Sequence, residues 1–348
     1  MLIEIVSPRP YELNSVNQSR LIDLLPVFKT AIERSNIEHK NKVEAIIQDK
    51  YTSIHPAVKW RFNAAAEKYQ QQMYEKKEHV QIDDIVFKDV FPLYGQSDIK
   101  GSSEARNEAI KQDLTSQLSL AINVLKRASE SEKMPIYKEL IFRIQEHLNH
   151  LEKGLKSGDE TSILNFLKQE TYPVFRHLKT LSLELSTLVE NYTKHLDPNL
   201  NVVYNKRKSY ENSVTLLNNK LSHFIDKKQH EAQAMFPHYF ERYKTDGIEY
   251  NMYIGQSLVK DKSYNDVYFQ NLQLWQLQLM CEMENIAMQA TKEMTHELRV
   301  ASLILVHTSP LAIQFRMDEK QFDVDGAYNI RYEIIKKRID KALSLIHI

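Results

Sequence analysis

The stretch FPLYGQSDIKGSS, residues 91–103, carries two of the chain's seven glycines and leads into a long polar–apolar repeat. Backbone N–H groups at the start of a helix attract anions, and glycines let a ligand come close to the backbone. Asp98, Lys100, Ser102, Ser103 and Arg106 are therefore the candidate ligand-binding or anion-binding residues. The spacing of Gly95 and Gly101 is not that of a Walker loop, and no GK[ST] follows. The same residues also fit a plain bend. Gly95 and Gly101 would supply turns with positive φ, and Ser102 or Ser103 would cap the helix.

Other chemistry-bearing residues are sparse. Asp323, Asp325 and Gly326 resemble the start of a calcium loop, but the twelfth position is Ile334, which cannot ligate. A turn closed by Asp-Gly is the better reading. His147 and His150 lie at i, i+3, and His230 and His238 lie near each other, without an HExxH pattern or a cysteine cluster. No metal site is expected. Cys281 sits among Leu277, Met280 and Met288 at helical spacing, which predicts a buried thiol rather than a nucleophile. YNKRKSY, residues 204–210, is a small basic cluster and reads as a solvated helix face. Trp275 reads as core. No GxSxG, GxGxxG, P-loop or kinase set occurs, so no catalytic residue is assigned and the cofactor is unknown.

The elements that hold these residues are mostly helical. Gly and Pro, at 7 and 10 in 348 residues, are too few to break the chain often. Helices are predicted over about 15–51, 54–76, 103–129, 135–155, 159–170, 173–196, 203–243, 266–292 and 328–343. Strands are predicted at 2–6, around 85–91, at 249–258, 299–307 and 311–317. Lys plus Arg and Asp plus Glu are both 46, so no net field draws in nucleic acid or an anionic membrane. No run of 18 apolar residues occurs, and one cysteine forms no internal disulfide. A cytoplasmic protein is expected.

LIEIVSPRPYELNSVNQSRLIDLLPVFKTAIERS, residues 2–35, resembles the end of a GAF domain: a last strand, a proline loop, then a helix leaving the domain as a connector. IHPAVKWRF, FPLYGQSDIKGSSEARNEAI, EYNMYIGQSL, LWQLQLMCEMEN and FDVDGAYNIRYEIIKKRIDKA are similar to stretches of long bacterial GAF-domain-containing proteins of unassigned activity. The resemblance implies small-molecule sensing by a GAF domain whose pocket would lie upstream of Met1. After Ala342 it implies further strands. The chain instead ends in LSLIHI, so Leu343–Ile348 is read as a non-native remnant.

The resulting expectation is a mainly α, multi-domain bacterial fragment. A GAF remnant would cover 1–35, and connector helices with a small β element and the Gly/Ser loop 36–130. A helical bundle would cover 131–245, and a truncated α+β unit 246–348. The favoured function is signal sensing or relay. A ligand would act through the missing GAF domain, and a homodimer would form through the connector helices, with no nucleic acid and no membrane. The alternatives are an enzyme using the Gly95–Arg106 loop as an anion site, and a helical scaffold or interaction protein.

Overall fold

The computed structural model describes residues 8, 15–51, 54–75 and 82–325. The expected strand at 2–6, the helix at 328–343 and the segment Leu343–Ile348 lie outside the described residues. The chain is mainly helical, and its described residues form one antiparallel sheet of six strands.

Two helices open the described part, α1 (Ser15–Lys50) and α2 (Lys59–Tyr74), followed by the long strand β1 (Val86–Ile99). A run of helices comes next: α3 (Ser102–Ser131), α4 (Pro135–Glu152), α5 (Asp159–Phe166), α6 (Tyr172–Leu181), α7 (Leu183–Lys194) and α8 (Lys206–Met235). Then come β2 (Tyr239–Lys244), β3 (Gly247–Ile254), α9 (Asp266–Thr291), β4 (Val300–Leu305), β5 (Leu311–Arg316) and β6 (Gln321–Asp325).

β1 is the spine of the sheet. Its residues 91–98 pair with β3, its C-terminal half pairs with β4, and its N-terminal end pairs with β5. β2 extends β3, and β6 extends β5. One sheet thus joins the small β element expected within 36–130 to strands expected in a separate unit from 246. Pairing across about 150 residues leaves no local signal, so sequence periodicity is silent about it.

A bulge sets which way β1 faces. The ladder with β5 shifts register between Phe87 and Val90, and Asp89 between them takes φ 54°. One extra residue reverses the side-chain alternation. Phe87 and Val90 therefore join one core, whereas Phe91 and Leu93 face another.

Three apolar cores follow. The first lies between the sheet and α8 and α9, with Leu217, Leu221, Ile225, Met252, Leu272 and Met283. The second lies inside the helices α3 to α7, with Leu118, Leu125, Tyr137, Ile144, Leu167 and Leu178. The third lies on the opposite face of the sheet from the first. There Phe62 of α2 meets Phe315 edge-on at 5.1 Å and Phe322 at 6.0 Å, and Tyr51, just past α1, meets Phe62 at 4.8 Å.

Several expected boundaries move. The helix expected over 173–196 is two, α6 and α7, separated at Ser182, whose hydroxyl accepts from the Leu185 N–H and caps α7. The helix expected to run to 243 stops at Met235, and its last stretch is β2. Arg242 on β2 reaches back to pair with Asp226 on α8 at 2.9 Å.

Candidate functional site

The segment expected to form a Gly/Ser loop is strand up to Ile99. Gly95 is buried in β1 opposite Tyr250 on β3, and a Cβ there would sit 2.5 Å from the Tyr250 ring. Its role is close approach rather than a positive φ, which corrects the turn reading. Gly101 does take φ 62°, in the left-handed region, and closes the strand-to-helix bend. The expected serine cap is also corrected: Gly101 itself occupies the N-cap position, without a side-chain cap bond.

The Ser102 hydroxyl instead donates to Asp246 Oδ2 at 2.9 Å, in the β2–β3 turn. Tyr210 on α8 donates its hydroxyl to the Ser102 carbonyl at 3.0 Å. The Asp98 carboxylate accepts from the N–H of Ile99 at 3.0 Å. Burial pushes the Tyr210 phenol up to about 12, and the negative charge of Asp246 adds to the rise. A neutral phenol holding a carbonyl latches α8 to the start of α3. Lys100, Ser103 and Arg106 are exposed. The five residues share one stretch of chain, but a carboxylate already on Ser102 carries the wrong charge for an anion pocket. The two cavities described below are lined by other residues.

The first cavity, of about 490 Å³, lies between the C-terminal half of α9 and the approach to β4. Glu284 and Met288 contribute from α9 and Lys292 from its C-cap, and Leu298, Arg299 and Val300 from the other wall. Ser302 on β4 donates its hydroxyl to Glu284 Oε1 at 2.6 Å and lies 2.9 Å from the Ser97 hydroxyl of β1. That chain carries Glu284's charge on a hydroxyl donor, a charge-assisted bond of the stronger kind. Arg299 pairs with Glu297 at 3.2 Å. The Lys292 ammonium has no ion-pair partner among the described residues. The wall residues lie between Glu284 and Val300, on α9, on the connection that follows it and at the start of β4, and their spacing matches no motif in the sequence.

The second cavity, of about 620 Å³, is a groove where α2 ends beside α1, lined by His39, Lys68, Gln71 and Tyr74. Lys42 donates to the Tyr74 hydroxyl at 2.9 Å across it.

A polar seam runs through the helical part. Asp113 on α3 accepts from the N–H groups of Asn205, Lys206 and Arg207 and so caps α8. Gln117, one turn on, donates to the hydroxyls of Tyr172 and Tyr192 and accepts from the Val203 N–H. Arg207 pairs with Glu160 at 2.8 Å and Glu211 at 3.0 Å. The basic cluster 204–210 is therefore only partly a solvated face: Arg207 is engaged and Tyr210 is buried.

A family model described as YeeD uncharacterised protein matches residues 108–221. The match spans α3 to the middle of α8, the whole second core and this polar seam. No curated protein and no solved structure matches the chain. The resemblance to GAF-domain proteins is corrected by that comparison, which finds the YeeD match and no GAF domain. The likeness drew on residues 2–35 and on five further stretches of the chain, and no GAF domain is found in any of them.

The remaining candidates resolve individually. His238 is fully buried, with Nδ1 2.7 Å from the Phe236 carbonyl and Nε2 3.0 Å from Gln229 Oε1. Burial pulls it down to about 4, so it is a neutral core histidine, while His230 is exposed. His150 Nε2 lies 3.5 Å from Asp159, and His147 packs on Phe166. Among the described residues no group of three metal-ligating side chains occurs, and no helix is long and apolar enough to cross a membrane. Asp323 and Asp325 belong to β6, and Gly326 lies outside the described residues. Cys281 is exposed on α9, which corrects the buried-thiol expectation: the α9 face that packs inward is the one with Leu279, Met280 and Met283. Trp275 packs partly buried against the first core.

Proposed function

We propose that the chain is a non-catalytic signal-relay protein whose working part is α1, acting as a lever between a second copy of the chain and the sheet. The observation that carries this reading is the contrast along α1. Leu24, Val27, Phe28, Ile32 and Ile37 are exposed, Phe28 by 47%. Val43 and Ile47, by contrast, are buried in the third core beside Tyr51. A helix rises about 1.5 Å per residue, so the stretch from Leu24 to Lys42, exposed at every position but Leu25, is an arm of roughly 28 Å. Exposed pairs at i, i+4, Lys29 with Glu33 and Arg34 with Glu38, support it without neighbours. Apolar residues on such an arm are stabilised by docking onto another helix. A shift of the arm is delivered where its base enters the aromatic cluster of Phe62, Phe315 and Phe322. Relay requires an element with two arrangements that both ends bias.

The test joins two arms. Ala31→Cys in a Cys281→Ser background is oxidised to a covalent dimer and compared with its reduced form by hydrogen exchange. The expected result is dimer formation with altered protection in α2 and in β5–β6. A cross-linked dimer whose exchange changes only within α1 would overturn the relay.

A further inference from the structure

β4 has one neighbour in the sheet among the described residues, β1. Its six residues are all half-buried, and Val306 beyond it is 68% exposed. The ladder fixes which backbone groups face outward. The N–H of Lys100 donates to the carbonyl of Arg299 at 2.7 Å, so Arg299 turns its bonds toward β1. In an antiparallel pair the bonding residues alternate. Ala301, Leu303 and Leu305 therefore turn inward as well, while Val300, Ser302 and Ile304 present N–H and C=O to the outer edge. The side chains of Val300 and Ile304 lean toward the first core, on the side where α9 lies. The outer edge thus borders the 490 Å³ cavity, with α9 as its far wall.

We infer that this groove binds an extended peptide ending in a free carboxylate, which adds as a strand antiparallel to β4. Strand addition gives affinity through main-chain bonds and specificity through alternate side chains. Antiparallel addition has one consequence for charge. β4 runs from Val300 to Leu305, so the C-terminus of an antiparallel peptide falls at the Val300 end. Lys292, with no ion-pair partner among the described residues, lines the cavity at that end together with Arg299 and Val300. The ammonium is the complement of the terminal carboxylate. The last peptide residue, opposite Val300, takes an apolar side chain against Met288. The residue two before it stands opposite Ser302, whose hydroxyl is bonded to Glu284. That carboxylate selects a lysine or arginine there.

The test uses the full chain and a fluorescein-labelled hexapeptide, Gly-Thr-Val-Lys-Val-Val, read by fluorescence polarisation. Its amidated form and a form with glutamate in place of lysine are the controls. Saturable binding is expected, weakened about tenfold or more by amidation and by Lys292→Gln. Glu284→Gln is expected to erase the preference for lysine over glutamate while leaving the free-carboxylate preference. Hydrogen exchange is expected to slow at the Ser302 and Ile304 amides when peptide is added. Equal binding of the amidated peptide, or absent binding, would overturn the inference. So would protection of those two amides that rises with protein concentration and ignores peptide, since a second copy's β4 would then be the occupant.

Discussion

α3 and α1 make a controlled pair. They are the two longest helices of the N-terminal half, at 30 and 36 residues, and each repeats apolar side chains at helical spacing. α3 buries Ile110, Leu114, Leu118, Ala121 and Leu125 in the second core and sends Asp113 and Gln117 into bonds with the chain around the start of α8. α1 buries Val43 and Ile47 and leaves Leu24, Phe28 and Ile32 in solvent. Period and composition are alike, and the number of neighbours is what differs. A helical stripe specifies which face is sticky, and neighbours decide whether that stickiness becomes stability or remains available for a partner.

The sharpest break of this comparison is a cavity in α3. Leu118 is fully buried among the helices of the second core. Leu118→Ala is expected to cost about 2–5 kcal/mol, from lost transfer energy plus an unfilled void. Urea denaturation with an unchanged m-value measures it. A cost below about 1 kcal/mol would mean that the second core is loose and that α3 resembles α1 after all.

The polar anchor of α3 comes next. Asp113→Ala leaves the N–H groups of Asn205, Lys206 and Arg207 without their carboxylate. Loss of a cap of this kind costs about 0.5–2 kcal/mol. The start of α8 is expected to exchange faster in the variant, while the sheet strands β5 and β6 keep their protection. Asp113→Asn retains an acceptor and is expected to recover part of the loss.

The base of α1 is tested by alkali. The Tyr51 hydroxyl is buried without a hydrogen-bond partner among the described residues, and burial pushes its titration up to about 12, with the charge of Asp83 adding to the rise. A folded-state value above the ordinary 10 means that the fold favours the neutral phenol. Its contribution is present in full below pH 10 and is lost as pH rises from 10 through 12. Tyr51→Phe keeps the ring contacts with Phe62 and Phe315 and cannot ionise. The variant is expected to equal or exceed the wild type at pH 7 and to lose less stability between pH 10 and 12 in thermal melts. Equal alkaline losses would show that Tyr51 does not anchor the lever in a dry core.

The same pair marks what the amino-acid order discloses. Helix positions from α2 to α9 and strands β3 to β5 follow from local period, because each is decided by residues within a few turns. The course of β1 beyond Phe91 was hidden by its composition. Gly95, Gln96, Ser97 and Asp98 read as loop, yet they are strand because β3 and β4 supply bonding edges on both sides. The α9–β4 groove was invisible for a related reason. Glu284, Lys292 and Ser302 come together only once a helix packs on a sheet edge completed by a strand some 200 residues upstream. Exposure of Cys281 and Phe28 was equally out of reach, since apolar spacing does not say which stripe finds a partner.

The smallest expected effect is the most informative about α1. Phe28→Ala removes a large apolar side chain that is 47% exposed and belongs to no core of the described chain. At concentrations where the chain is monomeric, its stability is expected to stay within about 0.5 kcal/mol of wild type, since exposed positions seldom matter more. The stability of the wild type, but not of Phe28→Ala, is then expected to rise with protein concentration, because docking of two arms adds mass-action stabilisation. Thermal melts over a hundredfold range of concentration, paired with sedimentation velocity, separate the cases. Concentration-independent melts for both chains would leave α1 exposed without a second copy to meet it. A large loss in Phe28→Ala at low concentration would place that side chain in an intramolecular contact and remove the difference between α1 and α3.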